Sequence, residues 1–162
     1  MAILLFSPIL IGIYLYIRIL DGGPSVIKQN RVGLHGKQFK MYKFRTMKMS
    51  WDNDDFDSNE NRLIPFGKFL RRSSLDELPS IYNVIKGDMS LVGPRPLRTR
   101  YDTLYSKRQD KRHSVKPGIT GLAQINGRVT IGWHRKLAYD VLYVRHASIG
   151  MDIYIILMTA IK

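Results

Sequence analysis

The sequence predicts an α+β fold: a single, mostly helical domain with a small β-hairpin sheet, behind an apolar N-terminal helix bent at Ser7-Pro8. Three observations carry this. Residues 1–17 hold no charged side chain and are strongly apolar, with Arg18 and Asp21 closing the run. Residues 25–32 and 37–47 read as two strands joined by Gly33-Leu34-His35-Gly36, as expected of a hairpin with a glycine-containing loop. Most of the rest reads as helix, closing with residues 133–146 and 149–161. A chain of 162 residues is long enough for a real core in one domain.

The elements follow in order. A full membrane span needs roughly 20 apolar residues, so the N-terminal run is borderline, and an interior proline breaks a backbone hydrogen bond and bends a helix. A helix that dips into a bilayer is therefore expected over residues 1–20, with a buried core helix as the alternative. Asp21-Gly22-Gly23-Pro24 lacks a small-residue cleavage pattern, and no basic stretch leads the run, so it does not read as a signal peptide. After the hairpin, residues 50–61 form an acidic loop. Its alternating Asp55, Asp57 and Asn59 fail as a calcium loop, because Glu60 stands where glycine is needed and Phe66 where the bidentate glutamate belongs. Residues 65–72 form a short basic helix. Residues 78–86 form another, with Leu78, Ile81, Tyr82 and Ile85 at helical spacing. Residues 97–112 are expected as a charged helix with one face wet or facing anions. Pro117-Gly118, Gly121 and Asn126-Gly127 punctuate a loop-rich stretch that has room for one short strand pair. The run 153–161 is uncharged but too short to span, so it packs in the core or lies on a membrane surface.

Charge narrows the partners. The chain has 26 Lys and Arg against 13 Asp and Glu, a net +13, which favours anionic partners: nucleic acid, phosphorylated substrates or an acidic membrane surface. The distribution is uneven, since residues 49–61 carry five acids and no base. Cysteine is absent, which excludes disulfides and thiolate metal sites. His35, His113, His134 and His146 show no metal-ligand spacing and read as structural. No phosphate-loop glycine pattern or dinucleotide fingerprint is present.

The most informative stretch is Arg71-Arg72-Ser73-Ser74-Leu75-Asp76-Glu77-Leu78-Pro79. Adjacent carboxylates among arginines can hold a divalent metal and a phosphate together, as phosphoryl transfer requires. The same residues match a capping box, in which Ser74 caps a helix and Glu77 reaches back. Against that, Pro79 would then fall at the fifth helical position, where its missing N–H costs a bond. Moving the cap to Asp76 places Pro79 in the first turn and puts the carboxylates at a helix N-terminus, where anions bind. Both readings remain open from these residues alone. Arg95 stands between Pro94 and Pro96, which aim its side chain at low entropy cost and suit it to bidentate phosphate recognition. Lys43 and Arg45 alternate along a strand and should share a face. With Arg71 they are further candidates for the same anion.

Taken together, these segments resemble the bacterial sugar transferases, or monotopic phosphoglycosyl transferases, which include undecaprenyl-phosphate galactose and glucose phosphotransferases. The resemblance runs from Ser7-Pro8 through Gln29-Asn30-Arg31-Val32-Gly33 and Tyr42-Lys43-Phe44-Arg45-Thr46-Met47. It continues in Ser74-Leu75-Asp76-Glu77-Leu78-Pro79, Gly87-Asp88-Met89-Ser90-Leu91-Val92-Gly93-Pro94-Arg95-Pro96 and the segment 116–128. It implies transfer of a sugar 1-phosphate from a UDP-sugar to a polyprenyl phosphate, releasing UMP. It further implies that Asp76 is the nucleophile, forming a covalent phosphosugar, with Glu77 its partner at a Mg²⁺ ion. It makes residues 1–20 a re-entrant membrane helix that enters and leaves one leaflet, and residues 21–162 a catalytic domain on the cytoplasmic face of a bacterial inner membrane. Partners are then the UDP-sugar, the polyprenyl phosphate and the membrane, with no nucleic acid, and a homodimer is admitted. The pathway class is surface or exopolysaccharide synthesis. Family members usually have more residues before the Ser-Pro, including a basic start, so a piece of a longer protein is expected. The rival class is a non-enzymatic basic module that binds anionic lipid or nucleic acid. It accounts for the charge but leaves Asp76-Glu77 and Pro94-Arg95-Pro96 unexplained. Sugar specificity is expected in the acidic loop and in residues 123–133.

Overall fold

A computed structural model describes residues 2–20, 22–48, 63–127 and 131–161. The chain forms two compact units, Met1–Lys28 with Tyr42–Ile81 and Gln29–Met41 with Tyr82–Lys162. Most of the acidic stretch discussed as a calcium loop, and residues 128–130 of the expected specificity segment, lie outside the described residues.

In the first unit, α1 (Ala2–Leu20) is one helix with Pro8 inside it. Ile13 and Ile17, one turn apart, are buried with Phe44, Ile64 and Leu70, while Leu10, Val26, Phe66 and Leu75 pack around them. The opposite side of α1 leaves Ile11, Leu15 and Ile19 exposed, and Ile9 is exposed at the flank of the buried stripe. The helix thus serves a core on one face and keeps apolar surface uncovered on the other. Among the described residues no helix is long and apolar enough to cross a membrane. The chain leaves α1 through Gly22 and Gly23, both at positive φ (59° and 77°), a conformation open to glycine at little cost. Arg18 Nη1 donates to Gly23 O at 3.0 Å and Ser25 Oγ to Tyr14 O at 2.8 Å, which closes the turn back onto the helix.

The hairpin strands are β1 (Val26–Val32) and β2 (Gln38–Phe44), which pair as a two-stranded antiparallel sheet. The second strand stops three residues earlier than the sequence predicts. Beyond it Met47 bridges to Leu63, so this part of the chain pairs elsewhere. The link Leu34–Gly36 turns through His35 at φ 52°. Next comes α2 (Gly67–Ser73), the predicted basic helix. A side chain at Gly67 would stand 2.2 Å from Thr46 O, so glycine lets α2 touch the backbone beyond β2.

In the second unit, α3 (Ile81–Lys86) leads into β3 (Ser90–Val92), which pairs in parallel with β4 (Gly118–Thr120), Ser90 facing Gly118 and Val92 facing Thr120. Asn83 is fully buried and fixes the entry to β3: its Nδ2 donates to Lys40 O at 2.8 Å, and its backbone carbonyl accepts from Asp88 N at 2.9 Å. The charged helix expected over 97–112 is broken. It comprises a 3₁₀ turn Thr99–Leu104, α4 (Lys107–Asp110) and a second turn Lys111–Ser114. Ser106 is the cause. Its backbone is extended and it forms a capping box with Gln109, and a serine that caps starts a new helix. The loop-rich stretch holds β4 and α5 (Leu122–Ile125). The last helices, α6 (Trp133–His146) and α7 (Ile149–Ile161), span the predicted residues. Val92, Ile125, Tyr143 and Ile155 form the core, with Val115, Leu122, Met151 and Met158 against it. Tyr143 donates to Asp152 Oδ1 at 2.7 Å, which ties α6 to α7.

The β3–β4 pair depends on glycine at a contact where even a methyl group is too large. A Cβ on Gly118 would lie 2.1 Å from Gly93 N, and one on Gly93 would lie 2.5 Å from Lys116 O. Gly118→Ala should therefore destabilise the protein by about 1–3 kcal/mol, the usual cost of overpacking a tight site, seen as a lower urea midpoint. An unchanged midpoint would mean that the two strands can separate without cost.

Candidate active site

The carboxylates lie in the first unit. After α2, Ser74 takes a left-handed conformation (φ 61°) and a 3₁₀ turn follows over Leu75–Ser80. Ser74 makes no side-chain cap, so the capping box is not formed. Nor does Asp76 cap a helix: it is the second residue of the turn, and Pro79 lies inside that turn. The helix expected to begin at residue 78 becomes α-helical only at Ile81. The reason is Pro79, whose missing N–H prevents regular helical bonding at this point. The proposed anion site at a helix mouth is thereby replaced by a short turn that presents two acids.

Asp76 and Glu77 are both buried, each about 5 % exposed. Two adjacent buried carboxylates are costly unless cationic or hydrogen-bonding groups face them. Successive residues of a 3₁₀ turn diverge by about 120°, so the two groups reach a common point only from different sides. The turn is braced by Ser80 Oγ, which donates to Glu77 O at 2.6 Å.

Of the basic candidates in this unit, Arg71 is exposed on α2 and its Nε donates to the buried Thr46 Oγ1 at 3.0 Å. Lys43 is half-buried on β2. Arg45 is buried just past the strand end, and its Nη2 donates to Gly22 O. Arg45 lies one residue past the end of β2 at Phe44, and its backbone N still donates to Ser25 O at 2.9 Å. Arg45 braces the glycine turn after α1.

Arg95 belongs to the second unit. Its flanking prolines are buried and it is itself half-buried, at a small cleft lined also by Val32, Gly33, His113 and Val115. Three hydrogen bonds hold the backbone here: Gly118 N to Pro94 O at 3.0 Å, Val32 N to Leu97 O at 3.2 Å, and Arg112 Nη2 to Arg95 O at 2.6 Å. Arg112 is 2 % exposed. Its Nη2 also lies 2.8 Å from Asp140 Oδ2 on α6, and its Nη1 donates to Tyr105 Oη at 3.2 Å. Burial pushes the Asp140 carboxyl above the usual carboxylate range, and the Arg112 guanidinium offsets only part of that rise. His113, also buried, faces Asp110 Oδ1 through Nδ1 at 3.0 Å.

The family profile of bacterial sugar transferases matches residues 1–162. The chain belongs to the bacterial sugar transferase family. An uncharacterized sugar transferase, EpsL of Bacillus subtilis, is 49 % identical over 152 residues, 90 % of this chain and 73 % of that protein. The UDP-glucose:undecaprenyl-phosphate glucose-1-phosphate transferase of Xanthomonas campestris is 41 % identical over 96 % of this chain. The undecaprenyl-phosphate galactose phosphotransferase of Salmonella typhimurium is 38 % identical over 99 %. This chain spans only 34 % and 37 % of the lengths of these two.

For this sugar transferase the donor set suits Mg²⁺. Among the described residues no three acids or histidines gather as a metal cage. Mg²⁺ is commonly held by one or two carboxylates together with substrate phosphates, and Asp76 and Glu77 supply hard oxygen donors of that kind. What sequence reasoning missed is the buried Arg112–Asp140 pair. In the sequence Arg112 is the last residue of a charged segment with one face expected wet or facing anions. A signal was present all the same, since Asp140 sits among Leu137 and Val141 on the apolar stripe of α6, and a carboxylate there needs a buried cation. Asp140→Asn should leave Arg112 buried without its counter-charge and cost about 3 kcal/mol of stability, measurable by urea unfolding. A midpoint equal to the parent's would mean that the pair is solvated.

Proposed function

We propose that this protein transfers a sugar 1-phosphate from a UDP-sugar to a polyprenyl phosphate, with Asp76 as nucleophile and Glu77 beside it. The observation that carries the reading is the pair of adjacent buried carboxylates in the Leu75–Ser80 turn, in a chain of this family whose relatives bear those substrates in their names. A carboxylate, with an ordinary pKa of about 4, needs no base to attack phosphorus. An Asp76 oxygen bonds to the phosphorus that carries the sugar, the pyrophosphate P–O bond breaks, and UMP leaves. The polyprenyl phosphate oxygen then attacks the same phosphorus. The Asp76 O–P bond breaks, and the carboxylate is restored. Bound Mg²⁺ would offset the pyrophosphate charge and the repulsion between the two acids. Arg71 and Lys43 would meet donor phosphates in the first unit. Arg95 would serve as a phosphate-binding arginine in the second.

The acceptor is a lipid, so the reading includes the membrane. Residues 1–20 would form a re-entrant helix in one leaflet of the bacterial inner membrane, with the domain on the cytoplasmic face. The uncovered apolar side of α1 supports this, and the cationic Arg18, Lys28 and Arg31 would meet anionic headgroups.

Asp76→Asn keeps the size of the side chain but removes the nucleophile, so turnover should fall to background while the far-UV spectrum stays that of the parent. Glu77→Gln should also be severely impaired. Incubation with a UDP-sugar labelled in the phosphate that carries the sugar should leave label on the parent protein and release UMP. Release of UDP would instead indicate glycosyl transfer at carbon and overturn the reading. A panel of UDP-sugars then identifies the sugar.

The chain has no cysteine, so Ala2→Cys gives a single labelling site. In intact cells that site should react only from the cytoplasmic side, and adding Pro8→Ala should expose it in part from outside. Outside labelling without the proline change would establish a true span.

A further inference from the structure

We propose that Arg112 is a positioning residue that sets the aim of Arg95, acting through the Arg95 backbone with Asp140 and Tyr105 as its own supports. The inference rests on the reading of Arg95 as a phosphate-binding residue. Arg112 does not contribute a surface charge, because it is almost wholly buried. A planar guanidinium offers donors in a fixed fork, and here each side of the fork has a destination. Nη2 reaches Arg95 O at 2.6 Å and Asp140 Oδ2 at 2.8 Å, and Nη1 reaches Tyr105 Oη at 3.2 Å. The Arg112 guanidinium also lies 5.6 Å from the centre of the Tyr105 ring, and that ring meets His113 edge-on at 5.4 Å.

The arrangement addresses a specific mechanical need. Prolines on both sides restrict φ at residues 94 and 96, and Pro96 also biases Arg95 towards extended backbone, a broad range within which the Arg95 carbonyl can still swing. A charge-assisted bond to that carbonyl restricts the remaining freedom. The carbonyl just before it is held, Pro94 O by Gly118 N, and so is Leu97 O two residues after it, by Val32 N. Arg112 therefore supplies the middle anchor, and it is the only anchor of the three made by a side chain. Asp140 on α6 and Tyr105 ahead of α4 keep the fork from rotating. The cleft beside Arg95 leaves free space of the order of a single water molecule. The network therefore stands behind a phosphate-binding arginine and does not itself form a ligand pocket.

The test is a double-substitution cycle in the full chain, with Arg112→Lys, Tyr105→Phe and Arg95→Ala, read as UMP release from a UDP-sugar in detergent with polyprenyl phosphate. Arg112→Lys keeps the charge but cannot serve all three partners. It should lower kcat/KM about tenfold, mostly through KM for the UDP-sugar, and Tyr105→Phe should lower it less. In the Arg95→Ala background the same changes should have less than about a twofold further effect, because residues acting through one another are non-additive. Fully additive losses would overturn the proposal and leave Arg112 a purely structural residue. A second measurement is independent of activity: the ¹⁵Nε relaxation of Arg95 should show greater mobility in Arg112→Lys and Tyr105→Phe, with both variants still melting cooperatively. Unchanged Arg95 relaxation would overturn the proposal. If Arg95→Ala alone leaves turnover intact, the phosphate reading of Arg95 fails, and the relaxation measurement alone then decides whether Arg112 positions it.

Discussion

A buried guanidinium has donors on every nitrogen and no acceptor, so each must find an oxygen or cost the fold several kcal/mol. The two terminal nitrogens of Arg112 find Asp140 on one helix, Tyr105 ahead of another, and the backbone of Arg95, while its buried Nε has no hydrogen-bond partner among the described residues. Through it the turn 111–114 is joined to α6 and to the proline-flanked segment after β3. The second unit has few strands and short helices, and a single ion pair with such connections gives it an order that the apolar core alone does not impose. Apolar packing is tolerant of small shifts, whereas a hydrogen-bonded charge out of water is not.

Close backbone approach is the complementary constraint. Gly93 and Gly118 bring β3 and β4 together where any side chain would collide with main-chain atoms. That contact places Gly118 N against Pro94 O. The signature Gly93-Pro94-Arg95-Pro96 thus divides its labour: glycine allows the approach, the prolines stiffen the exit, and the arginine is held ready. In the first unit Gly67 has the same role against Thr46, and Thr46 in turn carries Arg71.

The carboxylate turn shows how local rules were outweighed. Ser74-Leu75-Asp76-Glu77 has the letters of a capping box, yet Ser74 is left-handed and caps nothing with its side chain. Pro79 stops the segment from becoming an α-helix, and the result is a tight turn with both acids inward. Burial of two adjacent acids has a cost that neighbouring groups must offset. The proposed reaction would give the pair a use, and such a trade of folding for function is common at reactive sites.

The sequence by itself determined the elements whose cause is local. α6, α7 and the basic α2 were readable as helices, and the hairpin was readable from its glycine-containing link. It also singled out Asp76, Glu77 and Arg95, because adjacent acids before a proline and an arginine between prolines are unusual enough to be visible in one chain. The motifs likewise carried the family. Tertiary structure alone decided what depends on distant partners. β3 is three residues long and exists only because β4, far along the chain, lies beside it. Arg45 and Arg112 look like surface charges in the sequence and are buried in the fold, since one finds a glycine carbonyl and the other an aspartate on a distant helix. Periodicity reports which face of an element is apolar. It does not report which charge will be taken out of water, because that depends on a counter-charge supplied by a different part of the chain.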